Sequence, residues 1–193
     1  ELNLVDGWDD PRLPTVRGLI NRGLTCESLR EYIVGMGLNN KISLPSWDKL
    51  WSQNKKTIDK IIPRYSSVDC EFYSILHIDG VSPDLISYEC EKHPTNKSLG
   101  NKISFKSNKI MINKYDSDLF KVGDRVGLLR NMVVVVIEIS DSSNVLCKVS
   151  DDQSFKTTVH KINWIANDKK ALIKYTIINY GNLINKPSMD KGD

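Results

Sequence analysis

Met132-Val133-Val134-Val135-Val136-Ile137-Glu138-Ile139-Ser140, then Asp141-Ser142-Ser143-Asn144, then Val145-Leu146-Cys147-Lys148-Val149, reads as a β-strand, a turn and a second strand. β-branched side chains crowd a helix but pack well on a pleated sheet, and Asp, Ser and Asn supply local turn chemistry. Val133 to Ile137 is apolar on both faces, which predicts a central strand rather than an exposed edge. Similar runs lie on either side. Val68 to Ile78, Ile103 to Phe105, Ile110 to Asn113 and Arg125 to Leu129 precede it, the last after the turn Val122-Gly123-Asp124; Val159 to Trp164 and Leu172 to Asn179 follow. Many short strands with little helical pattern between them predict an antiparallel barrel rather than alternating strands and helices.

Before Pro63 the pattern is helical. Thr15 to Arg22 fits a short helix, and Thr25 is placed to cap a second whose apolar residues Leu29, Tyr32, Ile33 and Met36 recur at three and four, with Gly37 at its end. A third begins near Pro45 or Ser46, with Trp47, Leu50, Trp51, Ile58, Ile61 and Ile62 along one side until Pro63 forbids continuation. The expected class is therefore α+β, mainly β: a short helical subdomain over 1–65, then an antiparallel β-barrel region over 66–193.

Bulk properties exclude more than they assign. The 193 residues are 40% hydrophobic and 26% charged, and no apolar run suits a membrane span. No secretory leader opens the chain, which reads as a fragment beginning mid-protein. Cys26, Cys70, Cys90 and Cys147 are widely spaced, as expected of free thiols in the cytosol. Cys90-x-x-His93 has no second half, so no metal site is expected. The net charge of +3 is small, but from Lys92 to Lys114 there are six lysines and no acidic residue, interleaved with Phe105, Ile103, Ile110 and Met111. Such a strip suits phosphate neutralisation, and equally a solvated lysine-rich face.

Signatures of catalysis are lacking: there is no glycine-rich phosphate loop, nucleophile elbow or His-Glu metal motif. His77, His93 and His160 sit in unrelated contexts. Asp9-Asp10 is more plausible at a helix start, capping or in a salt bridge, than as a proton-sharing pair.

A resemblance narrows the choice. Val5-Asp6-Gly7-Trp8-Asp9-Asp10-Pro11-Arg12-Leu13-Pro14-Thr15-Val16-Arg17-Gly18, with Arg22-Gly23-Leu24-Thr25 and Leu29-Arg30-Glu31-Tyr32, resembles the glutamyl- and glutaminyl-tRNA synthetases of the eukaryotic and archaeal lineage. Trp47-Asp48-Lys49-Leu50-Trp51, Asn54-Lys55-Lys56 and Pro63-Arg64-Tyr65 look like the glutamyl branch, since the glutaminyl branch usually lacks these tryptophans. His93-Pro94-x-Asn96, Gly100 and Lys102, and later Gly181 to Pro187, resemble loops of the family's anticodon-binding barrels. Two departures stand out: Lys60 replaces a common proline, and the chain stops at Asp193 before the family's last barrel strands.

The resemblance implies a helical stem-contact subdomain followed by an anticodon-binding barrel, in a cytoplasmic class I aminoacyl-tRNA synthetase that joins glutamate to tRNA(Glu). The implied catalytic domain would precede Glu1 and use ATP and Mg2+; this chain alone is expected to hold no cofactor and to be catalytically inactive. Implied tRNA contacts are Arg64, as a reader of an anticodon base, and Tyr65 beside it; Asn39, Asn40, Lys41 and Ser46 at the inner elbow; Lys55 and Lys56 toward backbone phosphate; and Lys97, Lys102, Lys106 and Lys109 in the basic strip. Trp8 and Pro11 are assigned to locking the entry into the first helix. Expected partners are tRNA(Glu) and other synthetases or scaffold proteins of a multi-synthetase assembly, with no membrane. Two alternatives remain: the equivalent region of a glutaminyl-tRNA synthetase, or a protein-docking barrel module.

Overall fold

Thr15 opens the first helix: its backbone is extended and its side chain accepts the Gly18 N–H, satisfying an amide that the helix leaves unpaired. In this computed structural model, which describes residues 5–37, 47–141 and 143–181, that helix is α1 (Val16–Asn21). Thr25 caps α2 (Cys26–Met36) by accepting from Ser28 N, and Gly37 ends it at φ 71°, a conformation glycine adopts without a Cβ clash. Helix α3 runs Trp47–Ile58. It stops short of Pro63 because a residue before proline is driven out of the helical region; Ile61 and Ile62 both turn back to the Ile58 carbonyl.

The chain divides into two compact units, Glu1–Ile62 with Tyr175–Asp193, and Pro63–Lys174. In the first, Leu19, Leu24 and Leu50 form a small buried cluster flanked by Leu29, Tyr32 and Trp51. The expected apolar side of α3 is core only in part, for Trp47, Ile61 and Ile62 are exposed. Trp8 is 80% exposed; the entry to α1 is held instead by its carbonyl, which accepts from Thr15 Oγ1 at 2.5 Å.

The second unit is β-rich. Its strands are β1 (Tyr73–Asp79), β2 (Ile86–Glu91), β3 (Asn101–Lys106), β4 (Lys109–Asn113), β5 (Arg125–Leu128), β6 (Val133–Asp141), β7 (Asn144–Val149), β8 (His160–Ile162) and β9 (Ile165–Ala166), with a one-turn helix α4 (Lys114–Ser117) after β4. Seven strands form one sheet in the order β8-β5-β6-β7-β1-β4-β9, while β2 and β3 form a separate ribbon. Strand β6 lies inside the sheet, as its two-faced apolar sequence predicts. Alternating residues Leu76, Ile78, Ile110, Ile112, Val126, Leu128, Val134, Val136, Val145 and Cys147 fill the core, with Phe120, Ile162 and Trp164.

Barrel-like curling follows from connectivity. In a flat seven-stranded sheet the outermost strands, β8 and β9, would stand about 29 Å apart. Only Asn163 and Trp164 separate them in sequence, and three Cα steps span at most about 11 Å. The sheet must bend round until its ends meet.

Mainly β with a small helical part is thus the observed class, with three corrections in detail. The pairing is not wholly antiparallel, since β1 with β7 and β5 with β8 are parallel. Leu172–Asn179 forms no strand: Ile173, Ile177 and Ile178 are mostly exposed, and β-propensity without a pairing partner makes no sheet. The run from Val68 becomes a strand only at Tyr73, because the Asp69 carboxylate accepts from the amides of Glu71 and Phe72 and holds that stretch in a turn.

Candidate nucleic-acid interface

Period-two geometry sorts the β2–β3 ribbon into faces. Pairing of Ile86 with Lys106, Tyr88 with Ser104 and Cys90 with Lys102 puts these six on one side. That side forms one wall of a groove of about 310 Å³; Leu129 and Arg130, from the turn between β5 and β6, and the chain around Trp164 form the other. Tyr65, from the segment that precedes β1 within the same unit, lines it too.

The groove combines ring faces with cations. Lys102 Nζ lies 4.4 Å from the Tyr65 ring centroid, and Lys106 Nζ lies 5.8 Å from that of Tyr88. Tyr65 is 70% exposed, so most of its ring remains accessible. Burial raises the pKa of the Tyr88 hydroxyl and lowers that of Lys102. Trp164 supports the far wall by donating its indole N–H to the Leu129 carbonyl at 3.0 Å.

Arg130 sits at φ 61°, where a Cβ crowds the backbone at a cost of roughly 1–2 kcal/mol. The turn around it is tight, Asn131 N bonding to Leu128 O at 3.0 Å and Leu128 N to Met132 O at 2.8 Å. A strained non-glycine residue bearing a cation at a groove rim is a reasonable pointer to function.

The expected site residues divide by location. Tyr65 and Lys102 line the groove, and Lys106 stands on the same ribbon face. Arg64 is exposed, and its backbone N–H donates to the Lys92 carbonyl at 2.8 Å. Lys97 lies on a short 3-10 turn, 3.6 Å from the Glu91 carboxylate. Lys109, at the start of β4 and opposite His77, is not among the groove residues. Lys55 and Lys56 are exposed on the last turn of α3, in the other unit. Asn39, Asn40, Lys41 and Ser46 lie outside the described residues. Tyr88 and Arg130 were not anticipated. Tyr88 belongs to a strand that the sequence pattern missed, whereas Arg130-Asn131, a cation and a turn-former between two β-rich runs, is a signal that was available.

Cys90 and His93 have other occupations. Cys90 Sγ lies 3.1 Å from Ser104 Oγ, while buried His93 uses Nδ1 to accept the amides of Thr95 and Asn96 at 3.2 and 2.9 Å. That ring shapes the loop between β2 and β3.

Residues 63–151 match the family described as tRNA synthetases class I (E and Q), anti-codon binding domain. This stretch belongs to that family. The match begins at Pro63, the first residue of the β-rich unit, and extends through β7. Over nearly its whole length the chain is also similar to larger proteins. It is 31% identical over 193 residues to the cytoplasmic glutamate–tRNA ligase of Saccharomyces cerevisiae, covering 99% of this chain and 27% of that one. With the cytoplasmic glutamate–tRNA ligase of Arabidopsis thaliana it shares 33% identity over 198 residues, 100% of this chain and 27% of the relative. With the bifunctional glutamate/proline–tRNA ligase of Drosophila melanogaster it shares 33% over 198 residues, 98% and 11%. The chain therefore spans about a quarter or less of these relatives. Among the described residues, no helix is long and apolar enough to cross a membrane.

Proposed function

We propose that this chain is the tRNA-gripping region of a cytoplasmic glutamate–tRNA ligase and that the groove beside the β2–β3 ribbon holds the anticodon loop. The supporting observation is the union, in one groove, of Tyr65 and Tyr88 with the cation Arg130, with Lys106 beside the Tyr88 ring, on a domain of the anticodon-binding family. Unpaired bases stack on aromatic rings while cations follow the phosphates, and single-stranded loops are where proteins read RNA sequence. Arg64 is assigned to a base edge, and Lys55 and Lys56 to backbone phosphate. Glutamate activation with ATP and Mg2+ belongs, in this reading, to a catalytic domain outside this chain. The cytoplasmic assignment is carried over from the relatives' names.

Fluorescence anisotropy titrations with glutamate-specific and glutamine-specific tRNA test this. Tighter binding of the glutamate-specific tRNA, weakening steeply as salt rises, is expected because phosphate contacts release counterions. Equal affinity would remove the glutamate assignment from this chain, and absence of binding would remove the reading altogether. Arg64→Ala is expected to weaken binding by about 1–3 kcal/mol, the range for a good base contact.

A further inference from the structure

We infer that Lys102 is a positioning residue for the Arg64–Tyr65 pair rather than a phosphate contact, an assignment that rests on the groove being the anticodon-loop site. Three contacts fasten this junction to the ribbon. Arg64 N–H donates to the Lys92 carbonyl at 2.8 Å, immediately after β2, and the Arg64 carbonyl accepts from Lys102 Nζ at 2.5 Å on β3. The same ammonium lies 4.4 Å from the Tyr65 ring centroid. Both backbone polar groups of Arg64 are therefore held by one ribbon, and Pro63 restricts φ just upstream. Lys92 N in turn donates to Gly100 O at 3.0 Å, so the anchor is tied to the turn that precedes Lys102.

Charge placement agrees. Lys97, on the neighbouring turn, has an 82% exposed side chain and, among the described residues, meets only the half-exposed Glu91 carboxylate, 3.6 Å away. Lys102 is half-buried, with its head engaged by a carbonyl and an aromatic face, and burial lowers its pKa. Giving it to a phosphate would forfeit the contacts that aim Arg64. Its chemistry suits a strut.

The test compares wild type, Lys102→Met, Lys102→Arg, Arg64→Ala and the Lys102→Met/Arg64→Ala double variant, titrated with a glutamate-specific anticodon stem-loop at several salt concentrations. Lys102→Met should weaken binding about tenfold, within the range for coupled neighbours, and leave the salt slope unchanged. The double variant should lose less than the sum of the two single losses, and Lys102→Arg should restore affinity. A salt slope smaller by about 0.7, the signature of one lost single-strand phosphate contact, or additive losses would overturn the inference. Without RNA, NMR of wild type and Lys102→Met should show altered Tyr65 ring shifts and faster Arg64 amide exchange; identical spectra would also overturn it. If wild type fails to bind the stem-loop, the functional reading fails, and the RNA-free spectra still decide whether Lys102 positions the junction.

Discussion

The helical and β-rich units solve the same problem with different chemistry. The β-rich unit buries a continuous apolar core in which Leu76, Ile110, Ile112, Val126 and Leu128 are fully inaccessible. Among its described residues the helical unit has only Leu19, Leu24 and Leu50 at its centre, and it buries polar Asp10, Ser28 and Asn54. Polar staples carry much of its organisation. Asn54 accepts from Thr25 N at 2.9 Å and donates to the Gly23 carbonyl at 3.0 Å, tying α3 to the turn before α2. Asp10 accepts from Asp6 N, from Arg12 N and from the Arg12 guanidinium. Arg22 lies between Trp51 and Tyr180, 5.2 and 5.9 Å from their ring centroids, and donates to the Tyr180 carbonyl. Apolar packing is tolerant in direction and severe in volume, whereas staples are cheap in volume and exacting in geometry.

The largest effect should come from hollowing the apolar core. Leu76→Ala is expected to cost about 2–5 kcal/mol, read by urea denaturation with fluorescence of the buried Trp164. A loss under 1 kcal/mol would break the contrast from the barrel side. On the helical side Asn54→Ala should cost about 1–3 kcal/mol by leaving buried backbone groups unpaired, seen as faster hydrogen exchange confined to 16–58. A smaller effect is expected from acid. Hydrogen bonds from Arg12 hold the Asp10 carboxyl well below the usual carboxylate range. Its stabilisation is therefore present above the normal Asp pKa and is lost as pH falls toward the depressed value. Helical circular dichroism of wild type should decline in strong acid, and Asp10→Asn should remove that component. The mildest test is chemical: burial pushes the Cys147 thiol up to about 12, while Cys26 and Cys70 are exposed. Alkylation near pH 8 should modify Cys26 and Cys70 in the native protein and reach Cys147 only after unfolding.

Legibility followed how local each determinant is. Thr15, Thr25 and Gly37 act within a few residues of themselves, so the helix ends were readable. The two-faced apolar run of β6 likewise announced an interior strand. Strand β2 was not, because Ile86-Ser87-Tyr88-Glu89-Cys90-Glu91 carries a weak apolar pattern and is fixed by pairing with β3. The opposite error occurred at Leu172–Asn179, where a strong pattern found no partner strand. At the candidate site, Arg64, Tyr65 and Lys102 could be named from the sequence, but their mutual contacts could not. Arg64 and Lys102, 38 positions apart, meet only because the ribbon folds back on this segment.

By itself, the sequence determined the mainly β class, the change of character at Pro63, the helix caps and the family resemblance, since these depend on short-range periodicity, side-chain chemistry and local motifs. Only the tertiary structure decided the two parallel pairings, the curling that brings β8 and β9 together, the return of the chain at Tyr175 to the helical unit, and the groove that gathers Tyr65, Tyr88, Lys102 and Arg130. Those depend on which distant segments share hydrogen bonds and exclude water together, and no local pattern carries that information.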